Sequence, residues 1–527
     1  MGRLVIASNR VGSSLKGNEG GLATAMLAAL DQREVIWFGW SGEVTDEPPG
    51  PTRVHREGRL TRMLIDLERS DYEGYYLEFA NSVLWPVFHY RVNLAEYGRE
   101  RWAAYGRVNE MFAERIATAL KPDDILWVHD YHMIPLGSAL RRLRVDNPIG
   151  FFLHIPFPAP EVLSTLPVHE ALVRALFAYD LVGFQTESDL QAFRDYVERE
   201  AGGSTGGNRI LHAYGTSVRA ASFPISIDTR LVAARAARAA STRPAARLRE
   251  SLSDRRLVIG VDRLDYTKGL VHRFDAIERL LEASPQYRRA IVLLQIAQPS
   301  REDVLEYQRI RAELDARIGR INGRFGEPDH LPVRYVNRSF RQETLFGFYR
   351  ASRVAMVTPL RDGMNLVAKE FVASQDPNDP GVLVLSRFAG AARELDAALI
   401  VNPFDVDQIA DALDQALAMP LEERRARYET MMARLRDHDV HAWRDATDLG
   451  DDEHAEASWL DVPSGRWRLT VNRDTDHSVA ATLQVDGAPA PAGMALRLRL
   501  ARGPLSEEQV NAVAAALDAA ATSVERV

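Results

Sequence analysis

A run of polar groups follows the short apolar segment 354–357 and could bind a sugar and a phosphate. It reads Thr-Pro-Leu-Arg-Asp-Gly-Met-Asn-Leu-Val-Ala-Lys-Glu over residues 358–370. Asp362 and Glu370 offer oxygens to sugar hydroxyls, and a helix from Leu366 would turn free backbone N–H groups toward an anion. Taken alone, the segment fits a solvated loop between a strand and a helix slightly better.

Two cations stand five positions apart in the segment 260–269. Arg263 and Lys268 flank a turn that Gly269 can close. Both could reach one diphosphate, the guanidinium as a two-pronged donor and the ammonium as a point charge. In the alternative, they belong to a surface turn and pair with Asp262 and Asp265.

Further anion-binding candidates follow other predicted strands. Arg10 ends the first apolar run, and Gly20 and Gly21 precede a predicted helix. Glycines there let backbone N–H groups approach a phosphate, although a plain turn is the alternative. The spacing is not G-x-G-x-x-G, which disfavours a dinucleotide site. Arg301 could bind a phosphate or cap a helix.

The histidines near residue 130 raise the question of a metal. His129, Asp130 and His132 follow a predicted strand, but no H-x-x-x-H spacing and no third ligand is evident. We therefore interpret Asp130 as a hydrogen-bond acceptor for a substrate hydroxyl. His154 also follows a strand, where a single histidine is more often structural than catalytic. Trp40, Tyr76 and Trp85 could stack on sugar rings, although core packing is the usual reason for such aromatic residues.

Parallel sheets are needed to bring these residues together. Short, mostly uninterrupted apolar runs alternate with helical segments, which is typical of βαβ units whose strands are buried on both faces. The predicted strands begin near residues 4, 35, 125, 149, 181, 257, 290, 333, 354, 382 and 398. Because most candidates directly follow such runs in both halves, they are expected to share one cleft.

The chain divides into three parts on composition. An Ala- and Arg-rich stretch near 228–254 joins two strand series, and Gly-Gly-Ser-Thr-Gly-Gly at 202–207 predicts a flexible loop before it. We predict two Rossmann-like domains, residues 1–235 and 236–446. Residues 447–527 would form a small α+β extension of unknown role, with strands near 464–471 and 480–485 and a helix to about residue 521.

Composition excludes several classes of protein. The 527 residues include no cysteine, which rules out disulfides and thiolate catalysis and fits a cytosolic protein. With a formal net charge of -8, no general attraction to nucleic acid or to an anionic membrane is expected. The sequence contains no run of about 18 apolar residues, so a transmembrane helix is not expected. An anionic substrate must therefore be held by local basic residues.

Nine of these segments together resemble the retaining glycosyltransferases of family 20, the trehalose-6-phosphate synthases. The similar segments, in family order, are Ser8–Arg10, Gly20–Gly21, Phe38–Gly42, Leu84–Pro86, Phe88–Arg91, Trp127–His132, Phe151–Pro158, Arg263–Gly269 and Thr358–Glu370. The resemblance covers about residues 3–445 and implies a GT-B fold, an α/β architecture of two Rossmann-like domains facing a cleft. It implies that residues 1–235 bind the acceptor and residues 236–446 the nucleotide sugar. The tail beyond residue 447 is not covered.

The resemblance also implies a reaction, the transfer of glucose from UDP-glucose to glucose 6-phosphate. The products would be α,α-trehalose 6-phosphate and UDP, and no cofactor or metal ion is expected. It implies a catalytic group of Arg263, Lys268, His154 and Asp130. The implied acceptor site is Arg10, Trp40, Tyr76, Trp85, Asp130 and Arg301. The implied donor site is Gly21, Arg263, Lys268, Phe340, Asp362, Gly363, Met364, Asn365, Leu366, Val367 and Glu370.

Two other functions stay open at this point. A glucosylglycerol-phosphate synthase would use a smaller phosphorylated acceptor, and a regulatory subunit would bind sugar phosphates without catalysis. The presence of all the anchoring residues favours an enzyme, and a hexose phosphate acceptor is favoured by Ser8–Arg10, Trp40, Tyr76 and Arg91. We also expect a cytoplasmic homo-oligomer, with the nucleotide base and the subunit number left open.

Overall fold

The computed structural model describes residues 2–11, 34–206, 209–300 and 304–447. Beyond them it describes five strand segments, residues 458–462, 465–473, 479–485, 488–489 and 496–498. The described residues form two large α/β sheets and one small antiparallel sheet.

The first sheet contains ten strands and carries the amino-terminal candidates. Its strands are β1 (Leu4–Arg10), β2 (Val35–Thr45), β3 (Arg53–Glu57), β4 (Leu60–Glu68), β5 (Ile125–His129), β6 (Ile149–Phe152), β7 (Leu181–Phe184), β8 (Ser204–Thr205), β9 (Ile210–Ala213) and β10 (Thr216–Ser222). They lie in the order β3-β4-β2-β1-β5-β6-β7-β10-β9-β8. From β4 to β10 the pairs are parallel, and the two edges are antiparallel.

The second sheet is parallel throughout. Its strands are β11 (Arg256–Arg263), β12 (Ile291–Gln298), β13 (Val333–Val336), β14 (Val354–Val357), β15 (Val382–Ser386) and β16 (Leu399–Val401), in the order β13-β12-β11-β14-β15-β16. Strands β14 and β15 are buried along their whole length, and β12 is buried up to its last residue. The uninterrupted apolar runs are therefore strands covered on both faces, as predicted.

Helices cover both faces of the two sheets. Those beside the first sheet are α1 (Arg69–Asp71), α2 (Trp85–Phe88), α3 (Arg99–Ala117), α4 (Leu136–Arg142), α5 (Pro160–Leu163), α6 (His169–Leu176) and α7 (Glu187–Arg199). The later ones are α8 (Thr229–Ala239), α9 (Arg243–Leu252), α10 (Leu270–Ala283), α11 (Leu305–Phe325), α12 (Gln342–Arg350), α13 (Leu366–Ser374), α14 (Val406–Ala418), α15 (Leu421–Asp437) and α16 (Val440–Thr447). A π-helix spans Tyr72–Leu84, and 3-10 turns span Val92–Leu94, Tyr131–Met133, Tyr266–Lys268, Pro285–Tyr287 and Gly390–Arg393.

The chain crosses between the two sheets twice. The first crossing is the coil 223–228 between β10 and α8. Helix α8 then packs against α12 and α13 beside the second sheet. In the second crossing, the Trp443 indole N–H of α16 donates to the Phe223 carbonyl at 3.1 Å, and its ring lies 5.1 Å from Trp127. One apolar core therefore continues from the first sheet to the second. The predicted boundary between residues 235 and 236 falls inside α8, and the domain limits stay a prediction.

The carboxyl-terminal segments form the third sheet. Its strands are β17 (Ser458–Val462), β18 (Gly465–Arg473), β19 (Val479–Val485), β20 (Ala488–Pro489) and β21 (Leu496–Leu498), all paired antiparallel. The two predicted strands correspond to β18 and β19, whereas the predicted helix near 506–521 lies outside the described residues. The prediction of a flexible loop over 202–207 is wrong at Ser204 and Thr205, which form the short strand β8 and pair with β9.

Within the described ranges, none of the helices combines the length and the apolar character that crossing a membrane requires.

Candidate active site

Four of the predicted site residues lie where the parallel part of each large sheet reverses its strand order. In the first sheet β1 lies between β2 and β5, and Arg10 and Asp130 stand at the carboxyl ends of β1 and β5. In the second sheet β11 lies between β12 and β14, and Arg263 and Asp362 stand at or just beyond the ends of β11 and β14. Such reversal points are the usual ligand crevices of open α/β sheets.

Lys268 and Asp362 form the ion pair at the centre of the second crevice. The Lys268 ammonium donates to Asp362 Oδ2 at 2.6 Å, and the Asn365 amide donates to the same oxygen at 3.0 Å. Burial alone would raise the pKa of Asp362, but the Lys268 ammonium and the Asn365 amide together help to hold this pKa below its ordinary value. The carboxylate therefore stays ionised at neutral pH.

Tight backbone contacts hold this pair in place. Gly269 has a φ of 66°, and a β-carbon there would lie 2.1 Å from the carbonyl oxygen of Thr358. Leu360 N–H donates to the Thr267 carbonyl at 2.7 Å, which ties the turn after β11 to the loop after β14. Only glycine fits at position 269 because any side chain would push the two loops apart.

Arg263 reaches out of the second sheet toward the first. Its guanidinium carbon lies 5.1 Å from the ring centre of Trp85, and its side chain remains 43% exposed. Its nearest carboxylate is Asp265 at 4.0 Å, which is already bonded by Thr267 and the Tyr307 hydroxyl. Asp262, the other partner considered from sequence, pairs instead with Arg273. Arg263 thus presents donors to the cleft.

Helix α13 begins directly beside this ion pair. The Asn365 side chain caps it by accepting from Ala368 N–H at 3.3 Å, and Leu366 and Val367 form its first turn. The buried Met364 is fixed through its carbonyl, which accepts from Ala391 N–H at 2.9 Å. The backbone N–H groups of a first helical turn lack partners within the helix, so they are suited to bind an anion or a sugar oxygen.

Glu370 and Phe340 lie farther along the same crevice. Burial raises the pKa of Glu370 to about 7, against the opposing effect of the Gln342 amide, which donates to it at 3.0 Å. The Phe340 ring packs edge-on against Phe348 at 5.6 Å and lies 4.7 Å below the Arg338 guanidinium.

At the end of β1, the Arg10 guanidinium lies near a group of aromatic rings. The Arg10 guanidinium carbon lies 5.7 Å from the Trp40 ring centre, and Trp40 lies 5.5 Å from Tyr76. Tyr76 stacks on His132 at 5.8 Å with an angle of 14° between the planes. His132 is therefore part of an aromatic stack, and Arg10 and Tyr76 lie beside Trp40, which is buried in the core of the first sheet.

Asp130 and His154 occupy the floor of the cleft. Asp130 has a φ of 76°, an unusual value for a residue with a side chain. Its Oδ1 accepts a hydrogen bond from the backbone N–H of His154 at 3.3 Å. Nε2 of His154 lies 2.9 Å from Nδ1 of His129. Burial lowers the pKa of His154 to about 3 and that of His129 well below its usual range, so both rings are neutral at pH 7.

The two sheets meet at the residues of the site. A β-carbon at Gly363 would lie 2.1 Å from the His154 carbonyl oxygen, so only glycine allows this approach. Beside it the Arg361 guanidinium lies 3.7 Å from the Tyr90 ring centre, and Arg91 lies 5.9 Å from that of Tyr266. We call these two cation–π pairs the cleft clasp. Sequence reasoning noted the aromatic segment 88–91 but missed its partners, which belong to the other sheet.

Two predicted residues, Gly21 and Arg301, lie outside the described residues. In the part of the chain that the structure describes, no group of three His, Asp or Glu side chains is arranged to hold a metal ion.

Comparison with known proteins agrees with this geometry. The model of glycosyltransferase family 20 matches residues 4–448. The chain belongs to glycosyltransferase family 20. Two parallel sheets meeting at a cleft are the GT-B arrangement of this family, which confirms the predicted fold.

Individual family 20 relatives are similar over the same range. A trehalose-6-phosphate synthase from Sinorhizobium fredii is 50% identical over 84% of this chain and 97% of its own length. A synthase from Burkholderia xenovorans in complex with glucose-6-phosphate is 50% identical, with a TM-score of 0.83 over 84% of this chain and 99% of that chain. A structure from E. coli bound with UDP-2-fluoro glucose is 44% identical, with a TM-score of 0.80 over 84% and 97%.

The carboxyl-terminal part lies beyond the family 20 match. The model of the YqjI-type transcriptional regulator C-terminal domain matches residues 493–525. The family 20 enzyme therefore ends near residue 448, and the remaining residues are an addition to it.

Proposed function

We propose that this protein transfers glucose from UDP-glucose to glucose 6-phosphate with retention of configuration. The products are α,α-trehalose 6-phosphate and UDP. One observation carries the proposal. In a family 20 chain, the Lys268–Asp362 pair and the half-exposed Arg263 lie together at the reversal point of the second sheet. The contact between Gly363 and the His154 carbonyl joins them to the first sheet, which carries Arg10, Trp40 and Tyr76.

Arg263 and Lys268 would stabilise the departing diphosphate. Negative charge grows on this leaving group as the bond to glucose breaks, and two fixed cations in a sheltered cleft lower the energy of that state. Because Lys268 lies 2.6 Å from Asp362, the cation for the diphosphate adjoins the carboxylate that would bind the glucose hydroxyls. Gly21 and the backbone from Gly363 to Val367 would complete the site for phosphates and sugar.

The nucleoside would lie along α13. The Glu370 carboxylate would accept hydrogen bonds from the ribose hydroxyls, and Phe340 would lie by the base. Since the pKa of Glu370 is about 7, this acceptor becomes fully ionised only above neutral pH. Donor binding is therefore expected to strengthen as the pH rises from about 6 to about 8.

The acceptor would bind on the first sheet. Arg10 and Arg301 would hold the phosphate of glucose 6-phosphate, and Trp40, Tyr76 and Trp85 would shape the pocket around its ring. Asp130 would accept a hydrogen bond from a sugar hydroxyl. We infer that the attacking hydroxyl gives its proton to a donor phosphate oxygen on the same face, so the protein acts by positioning and by charge.

Closure of the cleft would exclude water from the reaction. The contact between Gly363 and the His154 carbonyl joins the floor of one domain to the sugar loop of the other. The cleft clasp adds two contacts at its rim. Exclusion of water would favour transfer of glucose over its hydrolysis.

An acceptor and donor panel tests the proposal. The purified protein is given UDP-, ADP- or GDP-glucose with glucose 6-phosphate or glycerol 3-phosphate, in the presence of a metal chelator. We expect UDP release and an α,α-linked disaccharide phosphate, identified by mass spectrometry and by the anomeric proton couplings. Turnover with glycerol 3-phosphate alone would show a glucosylglycerol-phosphate synthase, and no turnover with any pair would leave a regulatory subunit. The expected homo-oligomer stays a prediction that light scattering can test.

A further inference from the structure

A buried amide connects His154 to the crossing between the domains. Gln185 directly follows β7 and is 2% exposed. Its Oε1 accepts from the backbone N–H of Ile225 at 3.0 Å, and its Nε2 lies 3.4 Å from Nδ1 of His154. Because Oε1 is held by a backbone donor, the amide has one orientation, and its nitrogen faces the histidine.

This orientation determines where the proton of His154 lies. An amide nitrogen only donates, so Nδ1 of His154 must be the unprotonated, accepting nitrogen. The neutral ring then carries its proton on Nε2, which points at Nδ1 of His129 at 2.9 Å. His129 accepts there and carries its own proton on Nε2. The reverse arrangement would set an N–H of His154 against the N–H of Gln185.

The same peptide segment is held from the other domain. The carbonyl of Ile225 accepts from the Lys369 ammonium at 2.8 Å, and Lys369 also pairs with Glu394 at 2.5 Å. Lys369 is fully buried and belongs to α13, the helix that begins at the proposed sugar loop. Ile225 lies in the coil 223–228, so its N–H is bound from the first domain and its C=O from the second.

We propose that Gln185 is a positioning residue that fixes His154 as its Nε2–H tautomer and holds the ring to the crossing between the domains. The proposal rests on the proposed function, which binds the donor glucose at Asp362 and the backbone from Gly363 to Val367, and Gly363 approaches the His154 carbonyl. A ring fixed in this way is uncharged and has one orientation at the cleft floor. Through Ile225, that orientation is linked to Lys369, and so to the helix that presents the donor site.

The alternative is that Gln185 only satisfies the buried N–H of Ile225. Gln185→Glu separates the two roles. The carboxylate still accepts from Ile225, but its second oxygen now faces Nδ1 of His154 and requires a proton there. A carboxylate is also charged, so a matched substitution is needed. Gln375 is a second buried amide, which accepts from Gly381 N–H and donates to two carbonyls away from the cleft, and Gln375→Glu supplies that control.

The experiment uses the full chain with ¹⁵N-labelled histidine. Solid-state ¹⁵N spectra of the protein without substrate distinguish the two tautomers and the charged ring, and His154→Asn assigns the signal. We expect the Nε2–H pattern in the wild type and in Gln375→Glu, and a proton on Nδ1 in Gln185→Glu. Steady-state kinetics should show kcat lowered by about tenfold or more in Gln185→Glu, with the KM for glucose 6-phosphate changed by less than about twofold.

Three outcomes would overturn the proposal. One is a His154 signal that keeps its Nε2–H pattern in Gln185→Glu at a pH at which the ¹³C carboxyl signal shows the introduced glutamate to be ionised. Another is a kcat that falls no further than in Gln375→Glu at equal thermal stability. Gln185→Met, which can neither donate nor accept at this position, should lower kcat while releasing the tautomer, and an unchanged tautomer there would also count against the proposal. The spectra are independent of turnover, so failure of the proposed function would be recognised separately, by the absence of product in the wild type.

Discussion

The Lys268–Asp362 pair allows catalysis and stability to be separated in one double-mutant cycle. The two charged atoms lie 2.6 Å apart, and the side chains are only 10% and 15% exposed. Lys268→Met removes the ammonium and leaves a buried carboxylate without its cation. Breaking one side of a buried pair costs about 3–5 kcal/mol, and the residual exposure favours the lower end, about 3 kcal/mol.

Catalysis should be lost for a different reason. If Lys268 binds the leaving diphosphate, its removal should cost about 2–4 kcal/mol of transition-state stabilisation, a decrease of about 30- to 900-fold in kcat/KM. Asp362→Asn in the same chain removes the uncompensated charge, so the double variant should regain most of the lost stability. It should regain none of the activity, because the cation for the diphosphate is still absent.

The assay combines urea unfolding with initial rates of UDP release for the wild type, both single variants and the double variant. Stability and kcat/KM are compared in two parallel cycles. A loss of less than about threefold in Lys268→Met, or under about 1 kcal/mol, would refute the catalytic role. Recovery of kcat/KM in step with stability in the double variant would show that Lys268 acts only by holding Asp362 in place.

Three further predictions follow from the site. The stability of Glu370→Gln relative to the wild type should be about 3 kcal/mol greater at pH 8 than at pH 4.5. A carboxyl whose pKa rises from 4.5 to about 7 on folding destabilises the folded wild type as the pH increases. If urea unfolding gave the same stability difference between variant and wild type at both pH values, this prediction would be contradicted. Gly363→Ala should lower kcat by about a hundredfold, since its β-carbon would lie 2.1 Å from the His154 carbonyl. The control Gly106→Ala, in open space on α3, should keep full activity. Arg361→Leu should raise the donor KM about two- to fivefold by removing a cation–π contact of the cleft clasp, and an unchanged KM would show that this contact adds nothing to closure.

Most of the fold could be predicted because burial on both faces leaves a direct trace in sequence. Runs such as Val354–Val357 and Val382–Leu385 contain no polar position, and each became a strand of a parallel sheet. The antiparallel edge β3 was not predicted, since its exposed residues 53–57 show no apolar pattern. The π-helix Tyr72–Leu84 was also missed, because no residue type in it distinguishes it from an α-helix.

The site was predictable only one domain at a time. Arg263, Lys268 and Asp362 could be found because each stands at the end of a strand, where local order is enough to suggest a crevice. The partner of Tyr90 could not be found, because Arg361 reaches it only after two separate sheets have packed together. Sequence spacing carries the first kind of information and three-dimensional packing the second.

Charge illustrates why this local arrangement matters more than composition. The chain has a formal net charge of -8, and both proposed substrates carry negative phosphates. At physiological salt, exposed charges more than about 8 Å away are largely screened, so the distant acidic surface repels a bound phosphate only weakly. Lys268 and Arg263 act inside that distance and in a sheltered cleft, where water and salt screen them less. An acidic protein can therefore bind two anionic substrates, provided that its few relevant cations are held in place, as Gly269, Asp362 and Trp85 hold them here.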